Sequence, residues 1–223
     1  PITGDSEDVA TVLSSADSAC QAAKEGGRNR VFSFRTDTVV MPDGEVAARD
    51  YLVHTGAVGV VALDDADRVA LIRQYRHPVG RRLWELPAGL IDVVGEDLPA
   101  AAARELAEEV DLVAGRWDLL ADVTVSPGCS NEVIRLFLAR DLSPVAEADR
   151  HRRTAEEAGI EVRMVPLADA VAMAMSGEIT NAACLVGVLA AAASRAGGWS
   201  TLRPAGAPLR RSDPPGPLAP AVS

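Results

Sequence analysis

The stretch "GLIDVVGEDLPAAAARELAEEVDL", Gly89–Leu112, decides the reading of this chain. Pro99 suits a first helical turn, and the apolar spacing that follows predicts a helix running to about Val110. Positions i, i+3 and i+4 share one helix face, so Glu105, Glu108 and Glu109 converge there. Like charges at that spacing repel. Such a face is either bathed in water or built to receive something positive. A solvated face is the ordinary explanation for two or three acidic residues in an acidic protein, so the surrounding residues have to decide.

Net charge is −10, with 22 basic and 32 acidic residues among 223, and no segment forms a basic stripe. Nucleic-acid binding draws on clustered Lys and Arg that displace counterions, so no nucleic-acid partner is expected. The composition, 48% hydrophobic and 24% charged, is that of a folded globular chain. Aromatic residues are only 4%, so the core has to rest on Ala, Val and Leu. Cys20, Cys129 and Cys184 are odd in number and lack paired spacing, which argues against a disulfide framework or a zinc knuckle. "AACLVGVLAAAA" (Ala182–Ala193) is too short to span a bilayer, and "PITGDSEDVA" lacks the apolar core of a signal peptide. The expectation is no membrane partner and a cytoplasmic location.

Around the helix, strands are expected on both sides. "TDTVVM" and "VAARDYLVH" flank the turn "PDGE" (Pro42–Glu45) as a hairpin. "GAVGVVAL" (Gly56–Leu63), "DDADR" and "VALIRQYRH" (Val69–His77) read as a second hairpin. Further strands are expected near Leu119–Val125, Val133–Ala139 and Ile160–Leu167, with "SPGCSNE" (Ser126–Glu132) and "HRRTAEEAG" (His151–Gly159) as loops. Two more helices follow, over Ala168–Gly177 and Thr180–Gly197. Hairpins with three helices and no strict βαβ alternation give an α+β sandwich. The expected division is an N-terminal arm at 1–30 (frayed or a short helix), a β element at 31–55, a main domain at 56–197 and a flexible Pro-rich tail at 198–223.

Gly89–Leu112 resembles the Nudix box, G-x5-E-x7-R-E-U-x-E-E-x-G-U, with Gly89, Glu96, Arg104, Glu105, Leu106, Glu108, Glu109 and Leu112 on motif positions. It departs twice: six residues separate Gly89 from Glu96, and Asp111 replaces the terminal glycine. The extra residue falls in a loop, and Asp tolerates the left-handed conformation a helix-end glycine adopts. The resemblance implies a Nudix-type α/β/α sandwich of mixed sheet with a small N-terminal antiparallel β element. It also implies Mg²⁺, with Mn²⁺ as an alternative, held by Glu105, Glu108, Glu109 and the Ala88 carbonyl. Oxygen ligands suit a hard cation that neutralises crowded phosphate oxygens. Arg104 is expected to point off the carboxylate face and pair with Glu96.

Three segments are similar to the ADP-ribose pyrophosphatase branch of that family: "RQYRHPVGRRLWELPAG" (Arg73–Gly89), Pro127 about fifteen residues beyond the box, and "AEEAG" (Ala155–Gly159). The branch usually has Phe and Asp where this chain has Cys129 and Asn131. The implied activity is metal-dependent hydrolysis of ADP-ribose to AMP and ribose 5-phosphate. Catalytic roles fall on Glu157 (with Glu156 as its alternative), Glu108, Glu109 and Arg104, and Glu157 is also a candidate metal ligand. Substrate contacts fall on Arg73, Arg76, Arg81, Glu85, Gly128 and Glu132. The family also implies a homodimer that exchanges the N-terminal β element. Other nucleoside diphosphate derivatives, or a nucleotide sensor that does not cleave, are the rival readings. Trp84 is expected to pack in the core, and His54, His77 and His151 lack metal spacing and are set aside.

Overall fold

The computed structural model describes residues 32–93, 95–153 and 158–209. The expected N-terminal arm, the loop glutamates Glu156 and Glu157, and the tail beyond Leu209 lie outside them.

The order is β1 (Phe32–Val40), β2 (Val46–His54), β3 (Ala57–Ala62), β4 (Arg68–Arg76), β5 (Arg81–Glu85), β6 (Ala88–Leu90), α1 (Leu98–Val110), β7 (Leu112–Thr124) and β8 (Val133–Pro144). Then come β9 (Glu161–Pro166), α2 (Leu167–Ser176), α3 (Ala182–Ala196) and β10 (Arg203–Pro204). The strands form a β1–β2 ribbon, a mixed sheet β10-β7-β8-β3-β6 and a sheet β5-β4-β9. β3 runs parallel to β8, and the other pairings are antiparallel.

Period-2 alternation distributes β3, β4 and β8 between two cores. Val58, Val60, Ala62, Ala70, Ile72, Phe137 and Ala139 pack against Ala101, Ala102, Leu106 and Val110 of α1. Val61, Val69, Leu71, Leu136 and Leu138 pack on the other side against Leu167, Ala170, Cys184, Val188 and Ala191 of α2 and α3. Helices thus cover both faces of the sheets, which is the expected α/β/α sandwich. Trp84 is buried in the second core, as expected of a packing residue, with Arg73 and Arg163 over its ring at 5.5 and 4.9 Å. A side chain at Gly187 would put its Cβ 2.6 Å from Leu86, so α3 approaches the sheet as closely as glycine allows.

β1 and β2 form the expected hairpin, Phe32 opposite His54 through Val40 opposite Val46. β3 and β4 do not. After one bridge, Leu63 with Val69, they part into different sheets, β3 to β8 and β6, β4 to β5 and β9. The reason is burial on both faces: β3 is covered along its whole length, which a parallel neighbour and flanking helices provide better than a solvent-facing hairpin.

The chain after α3 also stays on the domain further than a flexible tail starting at Gly198. β10 pairs with β7, Arg203 opposite Leu119. Beyond it, the carbonyls of Ala207 and Pro208 accept hydrogen bonds from Arg135, a side chain 1% exposed that also forks onto Asp122 at 2.7 and 3.0 Å. A buried guanidinium needs all its donors satisfied. Residues 207 and 208 meet that need and are held in return. No helix among the described residues is long and apolar enough to cross a membrane.

Candidate active site

Asp97 caps α1, its Oδ1 accepting from the Ala100 N–H at 2.7 Å, with Pro99 in the first turn. The helix ends at Asp111, whose φ of 56° is the left-handed conformation expected where the box ordinarily carries glycine.

Between these ends the acidic face is held by donors from three directions. Arg104 forks onto Glu96, Nε to Oε1 and Nη2 to Oε2, both at 3.2 Å. It does not point off the carboxylate face as expected: Nη1 donates to Glu105 at 2.6 Å and to Glu108 at 3.4 Å. Residues four apart share a face, so Arg104 lies above Glu108 and reaches all three carboxylates at once. The bond to Glu96 pushes the Arg104 guanidinium above its ordinary range against the opposing effect of burial, and the charge of Glu105 adds to the rise. Glu109 is 6% exposed and accepts the Ala88 N–H at 2.8 Å. At the far end Arg153 donates from Nε to the Glu108 carbonyl at 2.9 Å and from Nη2 to the Asp111 carboxylate at 2.5 Å.

β6 brings the backbone to this face. The Val60 N–H donates to Pro87, and the Ile91 N–H to Gly56. Antiparallel alternation then leaves Ala88, opposite Gly59, in a non-hydrogen-bonded position. β6 is the sheet edge, so the N–H and C=O of Ala88 turn outward, and the N–H meets Glu109. Next to it, a Cβ on Gly89 would stand 2.0 Å from the Glu105 carboxyl carbon. The absent side chain is the space Glu105 fills.

Among the described residues no three acidic, histidine or cysteine side chains gather closely enough to hold a metal ion. Arg104 draws Glu105 and Glu108 to itself, and Glu109 is turned to Ala88. The donor chemistry still suits a hard divalent cation: carboxylates on one helix face, and a cradle at Gly89 that seats one of them against backbone.

A cleft of about 680 Å³ opens on the other side of Ala88 and Gly89. Of the expected substrate residues, Arg76, Glu85 and Glu132 line it. Arg76 forks onto Glu85 at 3.0 and 2.7 Å, and Glu85, 3% exposed, also receives Gln74 at 3.4 Å. Arg73, Arg81 and Gly128 are not in its lining. Arg73 lies over Trp84, Arg81 donates to Thr180 beside the lining residue Asn181, and Gly128 stands in the loop before Glu132.

Two residues of this region were not singled out from sequence. His54, set aside as a bystander, lines the cleft. Its Nδ1 accepts the Gly56 N–H at 3.0 Å and lies 3.5 Å from Glu132, and its own N–H donates to Asn131 at 2.8 Å. The Leu52 N–H donates to Cys129 and the Leu52 carbonyl accepts from Asn131, so the N-terminal ribbon is laced to the 126–132 loop. Arg153 is the second. Neither carries a sequence signal, since each is defined by a partner brought by the fold.

Residues 53–181 match the family model described as NUDIX domain. An ADP-ribose pyrophosphatase of Mycobacterium tuberculosis (strain ATCC 25618 / H37Rv) is 45% identical over 160 residues, covering 72% of this chain and 76% of that protein. One from Bacillus subtilis (strain 168) is 33% identical over 153 residues, covering 69% and 80%. A solved structure titled as an ADP compounds hydrolase superposes with a TM-score of 0.64 over 77% of this chain and 90% of that one. At 23% identity, that likeness concerns the fold. With a family match over more than half its length and a box of carboxylates braced against the edge strand, the chain belongs to the Nudix family.

Proposed function

We propose that this protein hydrolyses the diphosphate bond of ADP-ribose, giving AMP and ribose 5-phosphate, with a divalent cation. The observation that carries the reading is the shared wall: Ala88 and Gly89 bound the cleft on one side and receive Glu109 and Glu105 on the other. A diphosphate seated in that cleft passes beside the carboxylates. The two pyrophosphatase relatives favour ADP-ribose among diphosphates.

Glu105, Glu108, Glu109 and the outward carbonyl of Ala88 would hold Mg²⁺, or Mn²⁺ in its place. When bound, the ion neutralises charge on the phosphate oxygens and lowers the pKa of a coordinated water. Arg104 fixes Glu96, Glu105 and Glu108 relative to one another. Glu157 is the proposed group that orients or deprotonates the attacking water and a further metal ligand, with Glu156 as its alternative. Arg76, Glu85 and Glu132 are the proposed ribose and phosphate contacts within the cleft, with Arg81, Arg73 and Gly128 around it. Arg forks match phosphate oxygens, and carboxylates accept from sugar hydroxyls.

A homodimer joined through the β1–β2 ribbon and a cytoplasmic location belong to the same reading. Phe34, Val40 and Val46 expose 57, 45 and 67% of their surface on that ribbon, which suits a partner. Cys129 and Cys184 are free thiols, as in a reducing compartment.

The test is AMP release from ADP-ribose with Mg²⁺, against EDTA and a panel of ADP-sugars and dinucleotides. Metal-dependent cleavage with ADP-ribose preferred is the expected result. Preference for another diphosphate moves the substrate, and binding of a panel member without turnover replaces the enzyme with a sensor.

A further inference from the structure

The helix that carries the acidic face ends in an unusual way. A helix leaves its last carbonyls unpartnered and bears a partial negative charge at its C-terminus, which basic residues ordinarily offset. α1 has no basic residue in its last turn, and Glu108 and Glu109 stand there instead. Its C-cap is Asp111, where the family motif has glycine. The compensation comes from Arg153, 42 residues further on, which donates to the Glu108 carbonyl and the Asp111 carboxylate together. The Asp111 carbonyl in turn accepts the Val145 N–H at 2.9 Å, so the same residue ties the helix end to the chain leaving β8.

We infer that the Asp111–Arg153 clasp is a positioning device for catalysis: Arg153, acting through Asp111 and the Glu108 carbonyl, fixes the last turn of α1 and thereby the backbone from which Glu108 and Glu109 project. This rests on the reading of those glutamates as the metal-holding residues. Glycine would end the helix as well as aspartate and with less backbone strain, but it offers Arg153 nothing to hold. The clasp therefore exchanges a better helix stop for a fixed one.

That exchange makes activity and stability separable. In Asp111→Gly the left-handed residue is relaxed and the carboxylate lost. The unfolding midpoint holds or rises, while kcat falls roughly tenfold to a hundredfold, the cost expected when reacting groups shift by about an ångström. KM stays within about twofold, because the cleft is untouched. Asp111→Asn keeps an acceptor for Arg153 in a residue that also tolerates positive φ, and restores most of kcat. Amide exchange at Glu109–Leu112, read in Arg153→Ala, should quicken roughly tenfold, a readout that does not depend on turnover.

A wild-type kcat retained in Asp111→Gly overturns the inference, as does unchanged amide protection in Arg153→Ala. If the wild-type protein itself releases no AMP, the proposed function fails instead. Amide exchange then still decides whether the clasp fixes the helix end.

Discussion

Gly89→Ala isolates the acidic face from the rest of the fold. The added Cβ would lie 2.0 Å from both the Glu105 carboxyl carbon and Oε1, and 2.5 Å from Oε2. Ordinary contact begins at 3.4 Å, so the carboxylate has to retreat by about 1.4 Å. What it meets is the far end of a flexible side chain, so Glu105 can turn to another rotamer at a cost of about 0.5–1.5 kcal/mol. Reduced backbone freedom of the unfolded chain offsets about 0.4–1 kcal/mol of that. The net change in stability is within about 1 kcal/mol, or roughly 2–4 °C in the midpoint of a domain this size. Catalysis has no such slack. A displacement of about 1 Å at a positioned group costs on the order of a hundredfold. Mg²⁺-dependent AMP release from ADP-ribose should therefore fall about a hundredfold in a protein that melts almost as the wild type does. Gly89→Ala with more than half the wild-type rate would refute the placement of Glu105 in the machinery. A loss of fold would refute the steric account.

Glu109→Gln keeps an acceptor for the Ala88 N–H at nearly constant volume, so it should fold normally and lose at least about a hundredfold in turnover with metal; near-normal turnover would remove Glu109 from the site. Arg104→Ala releases Glu96, Glu105 and Glu108 to repel one another and should lower the unfolding midpoint by about 3–6 °C, from a loss of about 1–2 kcal/mol, with the deficit shrinking in high salt. Mg²⁺ at a hundred times its Kd should stabilise the wild-type chain by about 2.7 kcal/mol in a thermal scan, and no shift beyond that of NaCl at matched ionic strength would count against the site. Burial, with the charge of Glu85 added, pushes the Cys184 thiol up to about 12 from an ordinary 9.0. The protonated thiol is favoured in the folded state, so this contribution is fully present below pH 9 and is lost as the pH rises from there towards 12. Denaturant titrations of the wild type should show that alkaline decline more steeply than those of Cys184→Ala.

What was legible in the sequence was local. Pro99, the 3.6-residue spacing and Asp111 mark where α1 begins and ends, because caps and left-handed stops act within a turn. β1 and β2 were legible through Pro-Asp-Gly for the same reason. β3 and β4 show the limit. Two apolar runs around "DDADR" look the same whether they pair with each other or diverge, and their true partners lie at 134–139 and 161–166. The one clue, the unbroken apolar run of β3, reports burial on both faces and not the identity of the neighbour. β7 begins at Leu112, seven residues before the expected strand, because Leu112, Val113 and Ala114 are held by pairing with Pro144, Ser143 and Leu142, partners some thirty residues away that the local pattern does not announce. In the site, the carboxylates, Arg104 and Ala88 could be named from the motif. His54 and Arg153 could not, since their roles come from Gly56 with Glu132 and from Asp111 with Glu108.

The direction of Arg104 shows why the acidic face exists as it does. Glu96, Glu105, Glu108, Glu109 and Asp111 crowd along α1 and its entry loop, where Arg104 bonds to Glu96, Glu105 and Glu108 and Arg153 to Asp111. Arg150 and Arg152 stand beside Arg104 and Glu108, while Arg104 and Arg153 make direct bonds to the carboxylates. At an effective dielectric near 20, each pair of like charges about 4 Å apart costs about 4 kcal/mol, and one arginine for each carboxylate would be the plain way to offset it. The fold instead spends one neutral donor, the Ala88 N–H, on the most buried glutamate and shares one arginine among three others. Glu96, Glu105, Glu108 and Glu109 are thereby held in place on one face. Carboxylates ordered on one helix face are what the proposed divalent ion would require of its ligands, and that reading accounts for three glutamates at repelling positions on one helix.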